Sequence, residues 1–116
     1  MSESELYPAI MGAYSRGDTR IFRINAGIAW QGKIIHQTPE RMILEHPRPI
    51  RLAVEGISDL IGWTTGGRFL AIEGKSATGR LRPAQTAFIE LVRRSGGRAG
   101  IARSVEDAGK IILGDY

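Results

Sequence analysis

The chain has 116 residues and a mass of 12.7 kDa, with 42% hydrophobic and 24% charged residues; this suits one compact domain spanning 1–116 and argues against a two-domain enzyme. Lys and Arg number 16 against 12 Asp and Glu, for a net charge of +4 and a pI near 10.0, a bias either towards polyanionic partners or simply towards solubility. Cysteine is absent, which excludes disulfides, thiolate zinc sites and cysteine nucleophiles.

The chain opens MSESE, acidic where a signal peptide is basic, and no apolar run approaches a membrane span of roughly 18–20 residues, so an intracellular, cytoplasmic protein is expected. Ser2 or Ser4 can cap a first helix, with Glu3 and Glu5 at its positive end. Leu6, Ile10, Ala13 and Tyr14 recur at helical spacing, and the helix should run to about Arg16 before Gly17-Asp18 stops it. Pro8 is tolerable there only if the helix begins late. Arg20 to Asn25 reads as a short strand ending at Ala26-Gly27. From Trp30 to Glu55 the apolar runs 33–35 and 42–44 are followed by Pro47 and Pro49, so irregular or edge strands and a loop are expected.

Ile57 to Trp63 and Arg68 to Lys75 are strand candidates joined by Thr64-Thr-Gly-Gly67, a hairpin composition. Pro83 suits a helix start, Ala84, Phe88, Leu91 and Val92 mark an apolar face, and Gly96-Gly97 ends the helix. Arg98 to Ala102 is a further strand. Ser104 with Asp107 resembles a capping box for a last helix through Ile112. The order is that of a mixed α/β domain, and the helix after Lys75 is long enough for a right-handed parallel crossover.

Residues two apart on a strand share a face, so Glu73 and Lys75 point together and Ile72 points away. The hairpin register sets Asp59 nearly opposite Ile72 and Glu73, to within one residue. Two carboxylates suit a hard cation, Mg²⁺ or Mn²⁺, and a nearby ammonium would orient the attacking water and offset charge developing on phosphorus. The competing reading makes Asp59 a turn residue and Glu73 with Lys75 an exposed ion pair of little energetic consequence. Against it, the charges interrupt apolar strands, where they cost stability unless compensated.

Gly56-Ile-Ser-Asp59-Leu60, Ala71-Ile-Glu73-Gly-Lys75, Leu81-Arg-Pro-Ala-Gln85-Thr-Ala-Phe88 and Gly96-Gly97 follow one another in an order that resembles the restriction-endonuclease-like nuclease core with its D…E-x-K motif. More narrowly, they resemble the virus-type replication-repair nuclease domain, VRR-NUC. The resemblance covers nearly the whole chain, including an N-terminal helix with an early Glu and the stretch Arg23 to Gly27. It implies an α/β fold with a mixed central β-sheet flanked by helices, a Mg²⁺ or Mn²⁺ cofactor, and an active site made of Asp59, Glu73, Lys75, Glu3 and Gln85. Asp59 and Glu73 would hold the metal, with the Gly74 carbonyl as an extra ligand, and Lys75 would address the attacking water. Glu3 would bind the metal directly or through water. Glu5 is its rival, and Glu3 is preferred because it lies seven residues before Ile10 and so near its helix face. The alternative for Glu3 is a residue that complements the helix dipole. Gln85 lies beside the apolar stripe, where its amide would reach the edge of the site and position water or phosphate; a solvated helix Gln is the alternative. Two departures stand out: Gly74 fills a position more often apolar and branched, and Ser58 stands where the wider superfamily has Pro.

The excess positive charge is carried by 13 Arg and only 3 Lys, and Arg presents the planar fork that engages phosphate bidentately. Arg20, Arg23, Arg80 and Arg82, with Arg93, Arg94 and Arg98, flank the motif, and Asn25 begins a run of small residues where a backbone can approach. Such contacts would position DNA without reading its bases. His36 and His46 have no partner at metal-ligand spacing and are expected at the surface or in loops; the paired glycines lack a P-loop Lys. The combined expectation is a metal-dependent DNA endonuclease, selective for branched DNA as Holliday-junction resolvases are, acting as a homodimer and leaving 5′-phosphate ends. The small self-contained form suggests a phage source, and hence the host cytoplasm. The alternatives are a flap or nonspecific nuclease, a noncatalytic nucleic-acid-binding module and a protein-interaction domain.

Overall fold

In chain order the elements are α1 (Glu3–Tyr14), β1 (Arg20–Arg23), β2 (Ile28–Thr38), β3 (Arg41–Arg51), β4 (Leu60–Thr64), β5 (Arg68–Gly74), α2 (Pro83–Arg94), β6 (Arg98–Ala102) and α3 (Val105–Leu113). The structure, a computed structural model, describes residues 1–25, 27–51 and 53–116. Ala26, where the first strand is expected to end, and Leu52, in the stretch expected to be irregular, lie outside the described residues. The chain forms two units, residues 1–24 with 55–116, and residues 25–54. Among the described residues no helix is long and apolar enough to cross a membrane.

The larger unit is a mixed sheet in the order β1-β4-β5-β6, antiparallel at β1/β4 and β4/β5 and parallel at β5/β6, flanked by three helices. This is the architecture of a restriction-endonuclease-like core. Alternation along β5 sorts its side chains: Leu70 and Ile72 join Leu6, Ile10, Leu60, Ala108 and Ile111 under α1 and α3, while Ala71 packs with Ile89, Val92 and Ala99 under α2. Burying one Leu or Ile contributes about 1.5–3 kcal/mol, so the fully buried Leu60, Leu70 and Ile72 anchor the hairpin that carries the motif. Its turn closes through Gly67 N donating to Thr64 O at 3.0 Å, with Gly66 and Gly67 both at positive φ, which glycine alone adopts freely.

Two helix details depart from expectation. Ser2 caps α1 in a reciprocal box with Glu5, so the helix does not start late and Pro8 lies inside it. The missing N–H deprives only the Ser4 carbonyl, in an exposed first turn where solvent can serve it. In α2 the buried positions are Gln85, Ile89 and Val92, while Leu91 is 51% exposed. The inward face is thus turned from the expected stripe to include a polar residue. Ser104 caps α3 as expected, accepting from Asp107 N, and the Asp107 carboxylate accepts from Arg103 N.

The smaller unit takes the edge-strand alternative, and continuous strand replaces the loop expected around Pro47 and Pro49. β2 and β3 are 11 residues each and pair antiparallel from Ile28↔Arg51 to Thr38↔Arg41, with bulges between Gln31 and Lys33 and between Ile34 and His36. Pro47 and Pro49 are accommodated because a two-stranded ribbon consists of edges, where a missing N–H can face away from the ladder. Opposed residues share a face: Trp30 with Pro49 and Ile34 with Leu44 make one side apolar, while Gln31 with Arg48 and Lys33 with Glu45 make the other polar. Trp30, Met42, Leu44 and Pro47 line an open depression of about 560 Å³, and Trp30 is 60% exposed. His36 and His46 are exposed on this ribbon, as surface residues should be.

Candidate active site

The strands deliver the motif residues to one end of the sheet. Leu60 pairs with Ile72, so Asp59, one residue earlier, falls level with Glu73. The chain beyond β1 fixes this end: Ile24 N donates to the Asp59 carbonyl at 2.7 Å. By alternation along β5 Glu73 lies with Ala71 on the α2 side, and Gly74 faces α1.

Glu73 is 2% exposed, and its two oxygens have different surroundings. Oε1 accepts from Gln85 Nε2 at 2.8 Å and stands 3.7 Å from Lys75 Nζ. Oε2 is buried with no hydrogen-bond partner among the described residues. Burial, then the Asp59 charge, pushes the Glu73 carboxyl up to about 7 against the lowering pull of Lys75. A buried carboxylate with one oxygen held and the other free is costly unless something positive meets the free oxygen.

Gln85 therefore sits within the buried face of α2, not beside it. Its carbonyl accepts from Arg82 N at 2.9 Å and its amide holds Glu73. Each end of the side chain has a protein partner, which explains how a polar residue comes to replace an apolar one in the helix's inward stripe.

Tyr7 is a site residue missing from the sequence reading. Its hydroxyl donates to Asp59 Oδ2 and lies 3.2 Å from the Gly74 carbonyl oxygen. Burial, then the hydrogen bond and charge of Asp59, raise the phenol well above its ordinary value, so it stays a donor. Gly74 is the counterpart: a Cβ there would come within 2.2 Å of the Tyr7 ring, so the glycine of this E-x-K is required by close approach. The available signal was Tyr7's place three residues before Ile10, on the same helix face. The Arg23 guanidinium lies 4.7 Å from the Tyr7 ring centroid, bringing one predicted DNA-binding residue to the rim of the site.

The other expected residues are placed as follows. Glu5 is engaged in the helix cap, whereas Glu3 is exposed, four residues before Tyr7 on the same face, and its charge contributes to the raised Tyr7 hydroxyl. Among the described residues no three His, Cys, Asp or Glu cluster closely enough to hold an ion, so Glu3 does not join Asp59 and Glu73 as a direct ligand in this arrangement. Arg80 and Arg82 are exposed before α2. Arg20 is partly committed, one terminal nitrogen donating to the carbonyls of Gly17 and Thr19. Arg93 donates to Ala99 O, and Arg98 Nε is buried, so these two serve the fold. Asn25 belongs to the smaller unit, where its side chain accepts from Gly27 N. Arg103, also missed, donates to the carbonyls of Ser76 and Gly79 at 2.5 and 2.8 Å, tying down the loop that leaves Lys75.

The donor set is all oxygen: two carboxylates and the Gly74 carbonyl, with the orphaned Glu73 Oε2 among them. That fits a hard divalent cation that keeps waters or substrate oxygens for its remaining positions. The family model of the VRR-NUC domain matches residues 11–106, a span that contains Asp59, Glu73, Lys75 and Gln85 and leaves Glu3, Glu5 and Tyr7 outside. No curated protein matches the chain.

Proposed function

The chain belongs to the VRR-NUC domain family, a family of nuclease domains, and from this membership and the site's geometry we propose a Mg²⁺- or Mn²⁺-dependent endonuclease that hydrolyses DNA phosphodiesters. The observation that carries the proposal is the Glu73 carboxylate, buried with Oε1 held by Gln85 and Lys75 and Oε2 free beside Asp59. Asp59, Glu73 and the Gly74 carbonyl would hold the cation, with Glu3 acting through water. When bound, such an ion supplies Lewis-acid polarisation of the phosphate and lowers the pKa of water. Lys75, 13% exposed at the site, orients the attacking water and offsets negative charge growing on the phosphoryl oxygens. Gln85 fixes Glu73, and Arg23, Arg80 and Arg82 meet the phosphate backbone, so affinity should fall steeply with salt.

Branched DNA is the proposed substrate. Selectivity would come from DNA shape and from a second copy placed by two-fold symmetry. The apolar side of the β2–β3 ribbon supports association, since a two-stranded hairpin needs its apolar face covered. The deciding experiment incubates the protein with labelled four-way junction, flap and linear duplex in Mg²⁺, Mn²⁺ or EDTA, beside Lys75→Ala and Asp59→Asn. Junction cleavage that needs metal and both residues is expected. Cutting in EDTA, or at full rate in both variants, contradicts the mechanism, and equal rates on all three DNAs contradict the branched substrate.

A further inference from the structure

We propose that Tyr7 is a positioning residue for the metal site: its hydroxyl fixes the rotation of the Asp59 carboxylate and holds it at the Gly74 carbonyl, so that two oxygen donors, from the end of β5 and the residue before β4, are set before a cation arrives. The inference rests on the metal-dependent reading above and concerns a residue outside the span that the family model matches. The Asp59 main chain is already pinned, since its carbonyl accepts from Ile24 N. What remains free is the turn of the side chain about its own bonds, and the Tyr7 hydroxyl restrains it by taking Oδ2. The same hydroxyl oxygen lies 3.2 Å from Gly74 O, so one group touches both donors.

The surroundings of the ring suit this role. Tyr7 is 3% exposed and packed in the core with Leu6 and Ile10. A Cβ on residue 74 would collide with ring atoms Cε1 and Cζ, and Arg23 lies against a ring face, so glycine admits the ring and arginine covers it. A tyrosine needed only for packing would not require its hydroxyl at a carboxylate. Hydrogen bonds to metal-ligating carboxylates orient them, and losing such a partner typically weakens metal binding about 10–100-fold.

The test is Tyr7→Phe, which keeps the ring and removes only the hydroxyl, with Tyr7→Met as a second probe that fills the space without a rigid ring. Mn²⁺ binding to the DNA-free protein is measured by calorimetry or by the electron paramagnetic resonance signal of free Mn²⁺, beside thermal melting in EDTA and cleavage across a Mn²⁺ titration. Both folded variants should bind Mn²⁺ about 10–100-fold more weakly. Their cleavage should need correspondingly more Mn²⁺ yet approach the wild-type rate at saturation. Wild-type Mn²⁺ affinity in either folded variant overturns the proposal, as does a reduced rate at every Mn²⁺ concentration with an unchanged midpoint. If the wild-type protein itself binds no Mn²⁺, the metal-dependent reading fails and this inference falls with it, an outcome distinct from normal binding in a variant.

Discussion

The two units of this chain solve opposite problems. In the sheet-and-helix unit, charge is buried: Glu73 lies 2% exposed among apolar strands, and Gln85, Lys75 and the nearby Tyr7–Asp59 pair are arranged around it. In the β2–β3 ribbon, apolar surface is exposed: Ile28, Trp30, Ile34, Ile35 and Met42 are each about half exposed or more. A buried carboxylate is tolerated where a ligand repays it, and an exposed apolar face is tolerated where something covers it. Both units thus carry a local instability, one a buried carboxylate oxygen without a partner among the described residues and the other an uncovered apolar face.

The sharpest way to break this comparison is to remove a charge at the site. Lys75→Ala should lower the cleavage rate by about 10²–10⁴-fold, the usual range for losing a group that handles a proton or growing charge, measured in single-turnover assays. A comparable loss from Trp30→Ser would mean that the ribbon is part of the chemistry.

Next comes pH. In EDTA, below the ordinary glutamate value of 4.5 both folded and unfolded chains are protonated at Glu73. Between 4.5 and about 7 the unfolded chain ionises while the folded one keeps its proton, so stability falls as pH rises, and above about 7 the loss is complete. The span corresponds to an effect on the order of 3 kcal/mol. Urea melts across pH 4–8 should show that slope, and Glu73→Gln should flatten it; an unchanged slope in the variant would assign the effect elsewhere.

A smaller effect is expected at Gly74. Gly74→Ala forces a Cβ into the Tyr7 ring and should destabilise by about 1–3 kcal/mol, as overpacking does. Combined with Tyr7→Leu, the two changes should be clearly non-additive in thermal melts, because they share one contact. Additive losses would show that the ring is not what excludes a side chain.

The smallest effect separates the units. Trp30→Ser, at a 60% exposed position, should change the unfolding free energy by less than about 0.5 kcal/mol while reducing self-association in sedimentation experiments. A destabilisation like that at Gly74 would mean that the ribbon's apolar face is already covered within the folded chain.

Much of the larger unit was legible because its signals are short-range. The Thr64–Gly67 turn, the alternation that sets Glu73 with Lys75, and the Ser104 cap depend on residues within a few positions of one another, and the register then carried Asp59 to Glu73. In the ribbon, Pro47 and Pro49 suggest edge strands, which form, but also a loop, because a proline marks an interruption unless its missing N–H faces away from the ladder. Apolar spacing alone marks the α2 stripe without Gln85, which faces inward because a buried carboxylate requires a donor there.

By itself, then, the sequence determined one mixed α/β core, its hairpin, and which carboxylates and lysine share an end of the sheet, since these follow from local periodicity and turn chemistry. Only the tertiary structure decided that Tyr7 of α1 reaches Asp59, that residue 74 must be glycine, and that one oxygen of Glu73 is held while the other is free. Those facts join residues 12 to 67 positions apart, and at such separations contact is set by packing, which no local pattern encodes.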